Sequence, residues 1–351
     1  MPHKMNAFVC MRPGELRAVT KEAPPPQQGH SILKIRRVGI CGTDIHAFDG
    51  TQPYFTYPRI LGHELAGELV DTDKSPGIET GVLYTVIPYR SCGNCIACRR
   101  GQPNCCVHMQ VYGVHIDGGM AEYLSLPSDM LVAGNGLSLD ELALVEPLAI
   151  GAHSVRRAQI EPGEFVLIVG AGPIGLGIME FCRLAGANVI AMDVNEQRLG
   201  FCRKTMGVNH TVNPSREDPR EILKSLTRDD MPTAVFDATG NLQAINGALG
   251  YLAHGGRYVL VGLQKGDLRF SHPEFHKRET TLMSSRNALK EDFEWVISCF
   301  RNKVLNPSLL ITHRLSFQEL ETSFAELLGS DEHVVKAMIN VGESATDALD
   351  S

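Results

Sequence analysis

The segment Gly170-Ala-Gly172-Pro-Ile-Gly175 constrains the fold of this 351-residue chain more than any other feature. It ends the apolar run GEFVLIVG, which is typical of a buried strand, and it opens the helix-like stretch GPIGLGIMEFCRLAGA. Glycines between a strand and a helix permit a tight turn, and they let the backbone approach a pyrophosphate that the helix N-terminus attracts. The motif therefore predicts a βαβ unit that binds a dinucleotide. A chance cluster of glycines at a packed turn is the alternative.

The surrounding sequence indicates an α/β chain with two parts. Apolar strand candidates after residue 162 (GEFVLIVG, NVIAMD, PTAVFDATG, RYVLVGL and TTLMSSR) alternate with helical stretches, which predicts a doubly wound parallel sheet. The first third instead contains short apolar runs separated by Gly- and Pro-containing breaks, which is typical of β structure with many turns. We expect the hinge between the two parts near residues 150–161.

Polar residues and glycines at the strand ends predict the rest of the nucleotide site. Asp193 ends the strand that follows the glycine motif, and a carboxylate there can accept hydrogen bonds from both ribose hydroxyls of adenosine. It would repel a 2′-phosphate, which favours NAD over NADP. The predicted cofactor-binding residues are Gly170, Gly172, Pro173, Ile174, Gly175, Asp193, Arg198, Asp237, Gly240 and Gly262.

A dense group of cysteines predicts a metal site. Cys92, Cys95 and Cys98 form a C-x2-C-x2-C pattern, and Cys106 follows after seven residues. Four thiolates on a short segment can close a tetrahedral zinc site, which leaves no open coordination position and is therefore structural. Cys105 is the alternative fourth ligand to Cys106. Redox-active thiols are the alternative function of the group.

Composition and charge exclude some partners. The chain carries a net charge of −7 and lacks the basic surface that nucleic-acid binding requires. It contains no apolar run long enough to span a membrane, and Arg12 and Pro13 interrupt any signal-peptide core at the N-terminus. We expect a cytoplasmic protein without a nucleic-acid or membrane partner.

Three further segments, GICGTDIH, LGHE and LVEPL, offer the donors of a second, catalytic zinc site. They contribute a thiol at Cys41, an imidazole at His63 and carboxylates at Glu64 and Glu146. Such a set can bind zinc and leave one coordination position open for substrate.

Taken in order, the segments GICGTDIH, GHE, CGNCIAC, GGMAEY, EPLAIGAH and GAGPIG resemble the zinc-containing medium-chain dehydrogenase/reductase superfamily over essentially the whole chain. The resemblance implies a GroES-like, β-rich catalytic domain formed by residues 1–150 and 287–351. A Rossmann domain, residues 151–286, interrupts it. The resemblance also implies NAD as cofactor, two zinc ions per subunit and a homodimer or homotetramer.

The same resemblance implies roles for the residues of the second zinc site. Cys41 and His63 bind the catalytic zinc, and Glu64 or Glu146, directly or through water, is the remaining ligand. Thr43 takes the substrate proton and His46 passes it to solvent, while Glu64 also belongs to the catalytic group. The chemistry is oxidation of a secondary alcohol to a ketone with hydride transfer to the nicotinamide.

Glu146 and several longer segments indicate the substrate class. The EPL segment, with TQPYFTYPRILGHE, YGVHIDGGMAEYLSLP, HPEFHKRETTLMSSRNA and LITHR, resembles the polyol and sugar-acid branch. We therefore expect a small polyhydroxylated substrate, and sorbitol-type or L-threonine-type dehydrogenases are alternatives. A non-catalytic nucleotide-binding sensor is the alternative from another class. The predicted substrate-contacting residues are Glu146, Arg286, Tyr54 and His115, with Lys277 as a weaker candidate.

Overall fold

The computed structural model describes residues 3–73, 76–329 and 334–342, and the chain forms two compact units. One unit consists of Met1–Glu146 and Leu289–Ser351, and the other is Pro147–Ala288. The first unit is therefore built from two chain segments that are separated by the whole of the second.

The strands of the described residues follow one another in chain order as β1 (Lys4–Arg12), β2 (Glu15–Glu22), β3 (His30–Gly39), β4 (Arg59–Ile60), β5 (Glu64–Thr72), β6 (Leu83–Val86), β7 (Tyr89–Arg90), β8 (Gln110–Val111), β9 (Tyr123–Pro127), β10 (Leu131–Ala133), β11 (Phe165–Val169), β12 (Asn188–Met192), β13 (His210–Val212), β14 (Ala234–Asp237), β15 (Arg257–Leu260), β16 (Thr281–Ser284), β17 (Ile311–Ser316) and β18 (Lys336–Asn340).

The helices are α1 (Gly42–Phe48), α2 (Ile96–Arg99), α3 (Leu139–Ala143), α4 (Val145–Ala158), α5 (Pro173–Leu184), α6 (Glu196–Lys204), α7 (Pro219–Thr227), α8 (Leu242–Ala248), α9 (His272–Lys277), α10 (Lys290–Arg301) and α11 (Leu320–Gly329). Within the three described ranges, the helices lack the combination of length and hydropathy that crossing a bilayer requires.

The first unit is centred on a seven-stranded sheet in the order β10-β6-β5-β3-β18-β17, with β9 also paired to β3. Strand β3 is buried along most of its length because apolar residues such as Ile32, Leu33 and Val38 occupy both of its faces. β18, from the second chain segment, pairs with β3 from the first. This pairing brings residues near the end of the chain next to Gly39.

The second unit contains a six-stranded parallel sheet in the order β13-β12-β11-β14-β15-β16. Its strands read as continuous apolar runs because they are buried on both faces, as in FVLIV of β11. The chain proceeds outward from β11 in one direction and then returns to its other side, so the strand order reverses there. Open sheets of this type bind ligands at that reversal, beyond the carboxyl ends of the strands. The predicted doubly wound parallel sheet is confirmed.

Candidate functional site

Cys41, His63 and Glu64 form the first candidate metal centre. Cys41 directly precedes α1, His63 precedes β5, and Glu64 is the first residue of β5. One ligand atom from each of the three side chains lies within 4.8 Å of the others. His63 and Glu64 are buried, whereas Cys41 is half-buried. The structure therefore brings together a thiol, an imidazole and a carboxylate, which is a donor set that zinc accepts.

The electrostatic surroundings of His63 favour a cation at this centre. Burial disfavours the charged imidazole, but Asp44 and Cys41 outweigh that effect and raise the pKa of His63 well above its usual value. Its buried Nδ1 atom accepts or donates no hydrogen bond among the described residues. Nδ1 lies 3.8 Å from Asp44 Oδ1. A cluster of anionic donors around a buried imidazole suits a divalent cation as the common partner.

A buried carboxylate that the sequence reasoning missed holds the centre together. Asp44 accepts hydrogen bonds from the backbone N–H of Cys41 (2.9 Å) and from that of Gly62 (3.0 Å). One side chain thus links the two loops that carry Cys41 and His63. Gly62 has a φ of +90°, a left-handed conformation that glycine adopts without the steric cost of a Cβ.

Glu64 is held by two residues that were also not predicted. Lys336 Nζ lies 2.6 and 2.7 Å from the two carboxylate oxygens of Glu64, and both side chains are buried. Gly39 is the β-sheet neighbour of Glu64, and a Cβ at Gly39 would lie 2.1 Å from Glu64 Oε2. Gly39 therefore provides the space for the carboxylate. Lys336 is the single lysine in the apolar run VVKAMINV, which is typical of a buried strand. A buried cation needs an anionic partner, so this pattern could have indicated an ion pair.

Glu146 has a different partner from Glu64. It lies in the first turn of α4, is buried, and accepts a hydrogen bond from the Tyr89 hydroxyl. Burial raises the pKa of Glu146 to about 7, with Glu64 adding to the rise and His63 opposing it. The geometry thus groups Glu64 with Cys41 and His63 and places Glu146 in their electrostatic neighbourhood. Which glutamate is the direct ligand stays a prediction.

The proton-relay candidates share helix α1. Thr43 is half-buried, whereas His46, three residues later, is exposed. The His46 Nδ1 atom lies 2.9 Å from Thr51 Oγ1. Of the two candidates, His46 is therefore the one whose side chain is exposed.

Of the predicted substrate residues, Tyr54 and His115 lie together in the first unit. The exposed Tyr54 ring stacks on the His115 ring with centroids 6.4 Å apart, and His115 Nδ1 accepts a hydrogen bond from the Val111 N–H. Arg286 and Lys277 belong to the second unit. Arg286 is exposed just after β16, and Lys277 is exposed on α9, where its Nζ is 3.9 Å from Glu274 Oε1.

The cysteine group forms the second candidate metal centre. The thiol sulfurs of Cys92, Cys95, Cys98 and Cys106 lie within 4.8 Å of one another. The sulfur of Cys95 is 3.4 Å from that of Cys98 and 3.9 Å from that of Cys106. Tetrahedral zinc with bonds of about 2.3 Å separates its sulfur ligands by about 3.8 Å, so these distances fit the ion. Cys105 is exposed and lies outside the group.

The glycine motif forms the turn between β11 and α5. Gly170 has a φ of +101°, and a Cβ at Gly175 would lie 1.8 Å from the Gly170 carbonyl oxygen, so both positions require glycine. A Cβ at Gly172, the residue that caps α5, would meet no atom within 4 Å. The turn therefore leaves open space at the helix N-terminus, with Pro173 and Ile174 as its first helical residues. The N–H groups at a helix N-terminus favour an anion such as a phosphate.

The other predicted cofactor residues follow the carboxyl ends of neighbouring strands. Asp193, after β12, accepts a hydrogen bond from the Ala171 N–H (2.8 Å), and Arg198 Nη1 lies 3.7 Å from its carboxylate. Asp237, the last residue of β14, accepts from the Gly240 N–H (3.2 Å). A Cβ at Gly262 would lie 2.3 Å from the Gly240 nitrogen. These residues share one edge of the parallel sheet, the edge at which such sheets bind nucleotides.

The sequence patterns of two families match this chain. The zinc-binding dehydrogenase family matches residues 173–302, and the alcohol dehydrogenase GroES-like domain matches residues 27–135, which confirms the GroES-like class of the first unit.

Individual proteins are similar over nearly the full length of the chain. L-galactonate-5-dehydrogenase of Escherichia coli K12 is 43% identical over 336 residues, which cover 95% of this chain and 98% of that protein. Sorbitol dehydrogenase of Bacillus subtilis 168 is 28% identical, with coverage of 97% and 98%. The crystal structure of an alcohol dehydrogenase from Escherichia coli CFT073 complexed with NADH superposes with a TM-score of 0.89 at 28% identity, and the match covers 97% of this chain and 100% of that one.

Proposed function

Because this chain belongs to the zinc-binding alcohol dehydrogenase family, in the branch that acts on polyols and sugar acids, we propose that it oxidises L-galactonate. The product is the ketone D-tagaturonate, and NAD⁺ accepts the hydride while one proton is released. The observation that carries the proposal is the 43% identity to L-galactonate-5-dehydrogenase over 95% of the chain. A sugar acid offers a secondary alcohol for oxidation and a carboxylate for recognition, and Arg286 is our candidate for binding that carboxylate.

In this proposal Cys41, His63 and Glu64 hold the catalytic zinc, and Glu146 adds a further carboxylate beside them. A zinc ion at this position supplies Lewis-acid polarisation, which lowers the pKa of an alcohol hydroxyl. The chain contributes the geometry. Asp44 fixes the loops of Cys41 and His63, and Gly39 leaves room for the carboxylate of Glu64.

The hydroxyl proton leaves through α1 in our proposal. Thr43 accepts it at its hydroxyl oxygen and releases its own hydroxyl proton to His46, which delivers a proton to water. The support is the position of the two residues, because side chains three apart on a helix are neighbours and His46 is exposed. Tyr54 and His115 supply an aromatic, hydrogen-bonding surface for the substrate in the same unit.

The glycine turn and Asp193 bind the cofactor in this proposal. The open N-terminus of α5 receives the pyrophosphate, and the Asp193 carboxylate accepts hydrogen bonds from the adenosine ribose. Asp193→Ala should therefore lower the ratio of kcat/KM for NAD⁺ to that for NADP⁺ by about tenfold or more. Asp267→Ala, which alters an exposed acid of the same unit, is the control. An unchanged ratio in Asp193→Ala would remove the assigned role.

A substrate panel tests the reaction. NADH formation is followed by absorbance with L-galactonate, sorbitol and L-threonine, each with NAD⁺ and the zinc-loaded protein. We expect the highest kcat/KM with L-galactonate. A higher kcat/KM with sorbitol or L-threonine would assign that activity to the protein instead. NADH formation with none of the three would favour a nucleotide-binding sensor.

The four-cysteine centre holds a second, structural zinc in our proposal. Its support is the close approach of the four sulfurs, which leaves no position for substrate. Metal analysis of the purified protein should therefore give two zinc ions per chain.

A further inference from the structure

Lys336 is a buried cation without a role in the mechanism described so far. It is the first residue of β18, and its side chain is only 4% exposed. Its ammonium group has three acceptors: the two oxygens of Glu64 and the backbone carbonyl of Ile40, the latter at 3.2 Å. Every donor of the group is thus satisfied. This is the condition under which a protein tolerates a buried charge.

The surroundings of Lys336 are those of the first metal centre. Ile40 directly precedes Cys41, so the segment that carries Cys41 and the segment that carries His63 and Glu64 meet at this one ammonium group. Besides Glu64, the side chains of Cys41 and Glu146 attract the Lys336 charge. Asp44, His63 and Tyr89 are further titratable groups that bear on the cluster. Lys336 therefore faces the anionic side chains that would also attract a metal ion.

We propose that Lys336 is a positioning residue that holds the Glu64 carboxylate and weakens the attraction of the centre for zinc. This inference rests on the proposed function, in which Cys41, His63 and Glu64 are the zinc ligands. Two physical effects support it. A carboxylate whose oxygens accept hydrogen bonds from an ammonium group gives less electron density to a metal. In addition, a fixed positive charge in a buried site repels a second cation.

This role has a consequence for catalysis. A site with several anionic ligands neutralises the charge of its metal ion and thereby reduces the ion's power to acidify a substrate hydroxyl. A lysine that pairs with one of those anionic ligands reduces this neutralisation, so the metal ion keeps its ability to acidify the hydroxyl. Lys336 comes from the segment that follows the second unit in sequence, so the end of the chain would tune a centre whose ligands lie near its beginning.

The test compares Lys336→Gln with Lys336→Arg in the zinc-loaded protein. Gln keeps hydrogen-bond donors but removes the charge, whereas Arg keeps the charge. The measurement is the rate at which each zinc ion is lost to an excess of chelator, with the four-cysteine zinc as internal reference. We expect Lys336→Gln to release the other zinc about tenfold more slowly than wild type. Lys336→Arg should release this zinc at the wild-type rate, because it retains the charge. If Lys336 were merely structural, the release rate would not follow the charge at this position.

Equal or faster zinc release from folded Lys336→Gln would overturn the proposal. If that variant does not fold, Glu64→Gln is compared with the double variant Glu64→Gln/Lys336→Met. The single variant leaves the lysine charge uncompensated, so the double variant should retain zinc longer, and the reverse order would overturn the proposal. A wild-type protein that carries only the four-cysteine zinc would instead refute the proposed function, and this inference with it.

Discussion

The two candidate metal centres of the first unit are built in opposite ways. The four cysteines lie between residues 92 and 106, so a single short segment supplies every thiol. The other centre takes Cys41 from before α1 and takes His63 and Glu64 from after β4. Lys336, which binds Glu64, lies 272 residues away from it in sequence. One centre depends on a local loop conformation, and the other depends on the fold.

This difference determines what supports each centre. Closing a short loop around a metal costs little chain entropy, so the cysteine segment needs few contacts outside itself. The other centre depends on the register of β3 with β5 and with β18, because that register sets Gly39 opposite Glu64 and brings β18 alongside. Buried supporting residues, Asp44 and Lys336, then hold its ligands in place. We expect variants of the two centres to affect different properties of the protein.

The largest expected effect is the loss of activity in Cys41→Ser. A serine hydroxyl replaces a thiolate ligand at the reacting centre, so kcat/KM should fall by about 10³-fold or more. The zinc content should fall from two ions per chain to one, while the thermal unfolding midpoint stays close to that of wild type. Cys105→Ser, which alters an exposed thiol outside both centres, should match wild type in all three measurements. Full activity in Cys41→Ser would refute the role of this centre.

The complementary variant is Cys95→Ser, which should mainly destabilise the fold. The Cys95 sulfur lies close to two other thiols, and binding of a structural zinc contributes directly to folding free energy. We expect the free energy of unfolding to fall by several kcal/mol, measured by denaturant titration of the zinc-loaded protein. Activity per remaining folded molecule should be retained. If Cys105→Ser destabilised the protein and Cys95→Ser did not, the four-thiolate assignment would be wrong.

The same contrast explains how much could be predicted from the sequence. The spacing of Cys92, Cys95 and Cys98 indicates a metal site by itself, because residues three apart on one segment can reach one ion. The strand-to-helix turn at Gly170–Gly175 was likewise predictable, because the apolar run and the glycines are contiguous. The family resemblance then added the GroES-like class of the first unit and the predicted zinc-binding roles of Cys41 and His63.

The supports of the first centre were not predictable in this way. Asp44 follows Thr43 in a short helix, and nothing in its spacing shows that it accepts hydrogen bonds from two loops. Tyr89 and Lys336 reach Glu146 and Glu64 only through tertiary structure. Periodicity and motif spacing report neighbours along the chain, whereas these contacts depend on strand register and on the return of the chain after the second unit.

A moderate effect is expected from Asp44→Asn, which tests this missed support. The amide retains one carbonyl oxygen, but its NH₂ group would face a backbone N–H, so one of the two loop contacts is lost. Variants of such outer-shell residues typically cost 10- to 100-fold in metal affinity or activity, and we expect a decrease of about that size in both. Asp140→Asn, which alters a carboxylate paired with Arg37 and Arg314 in the same unit, is the control. Equal zinc affinity in wild type and Asp44→Asn would show that the loops of Cys41 and His63 keep their positions without the Asp44 carboxylate.

The smallest expected effect is a shift in the pH dependence of Tyr89→Phe. The Tyr89 hydroxyl donates to Glu146 and so lowers the pKa of a carboxyl group that burial otherwise raises. Without that hydroxyl the pKa of Glu146 rises, and the protonated form persists to higher pH. If the ionised form supports catalysis, the acidic limb of the kcat/KM profile should move to higher pH, with little change in the plateau.

Tyr84→Phe is the matched control for this variant, because Tyr84 is a buried tyrosine of the same unit whose hydroxyl accepts a hydrogen bond from the Glu79 N–H. Its acidic limb should coincide with that of wild type. An acidic limb in Tyr89→Phe that is unchanged or moves to lower pH would mean that Glu146 does not act in its ionised form. Glu64, held by Lys336, would then be the carboxylate on which the centre depends. The centre would have three side-chain ligands, Cys41, His63 and Glu64, without Glu146 as a fourth.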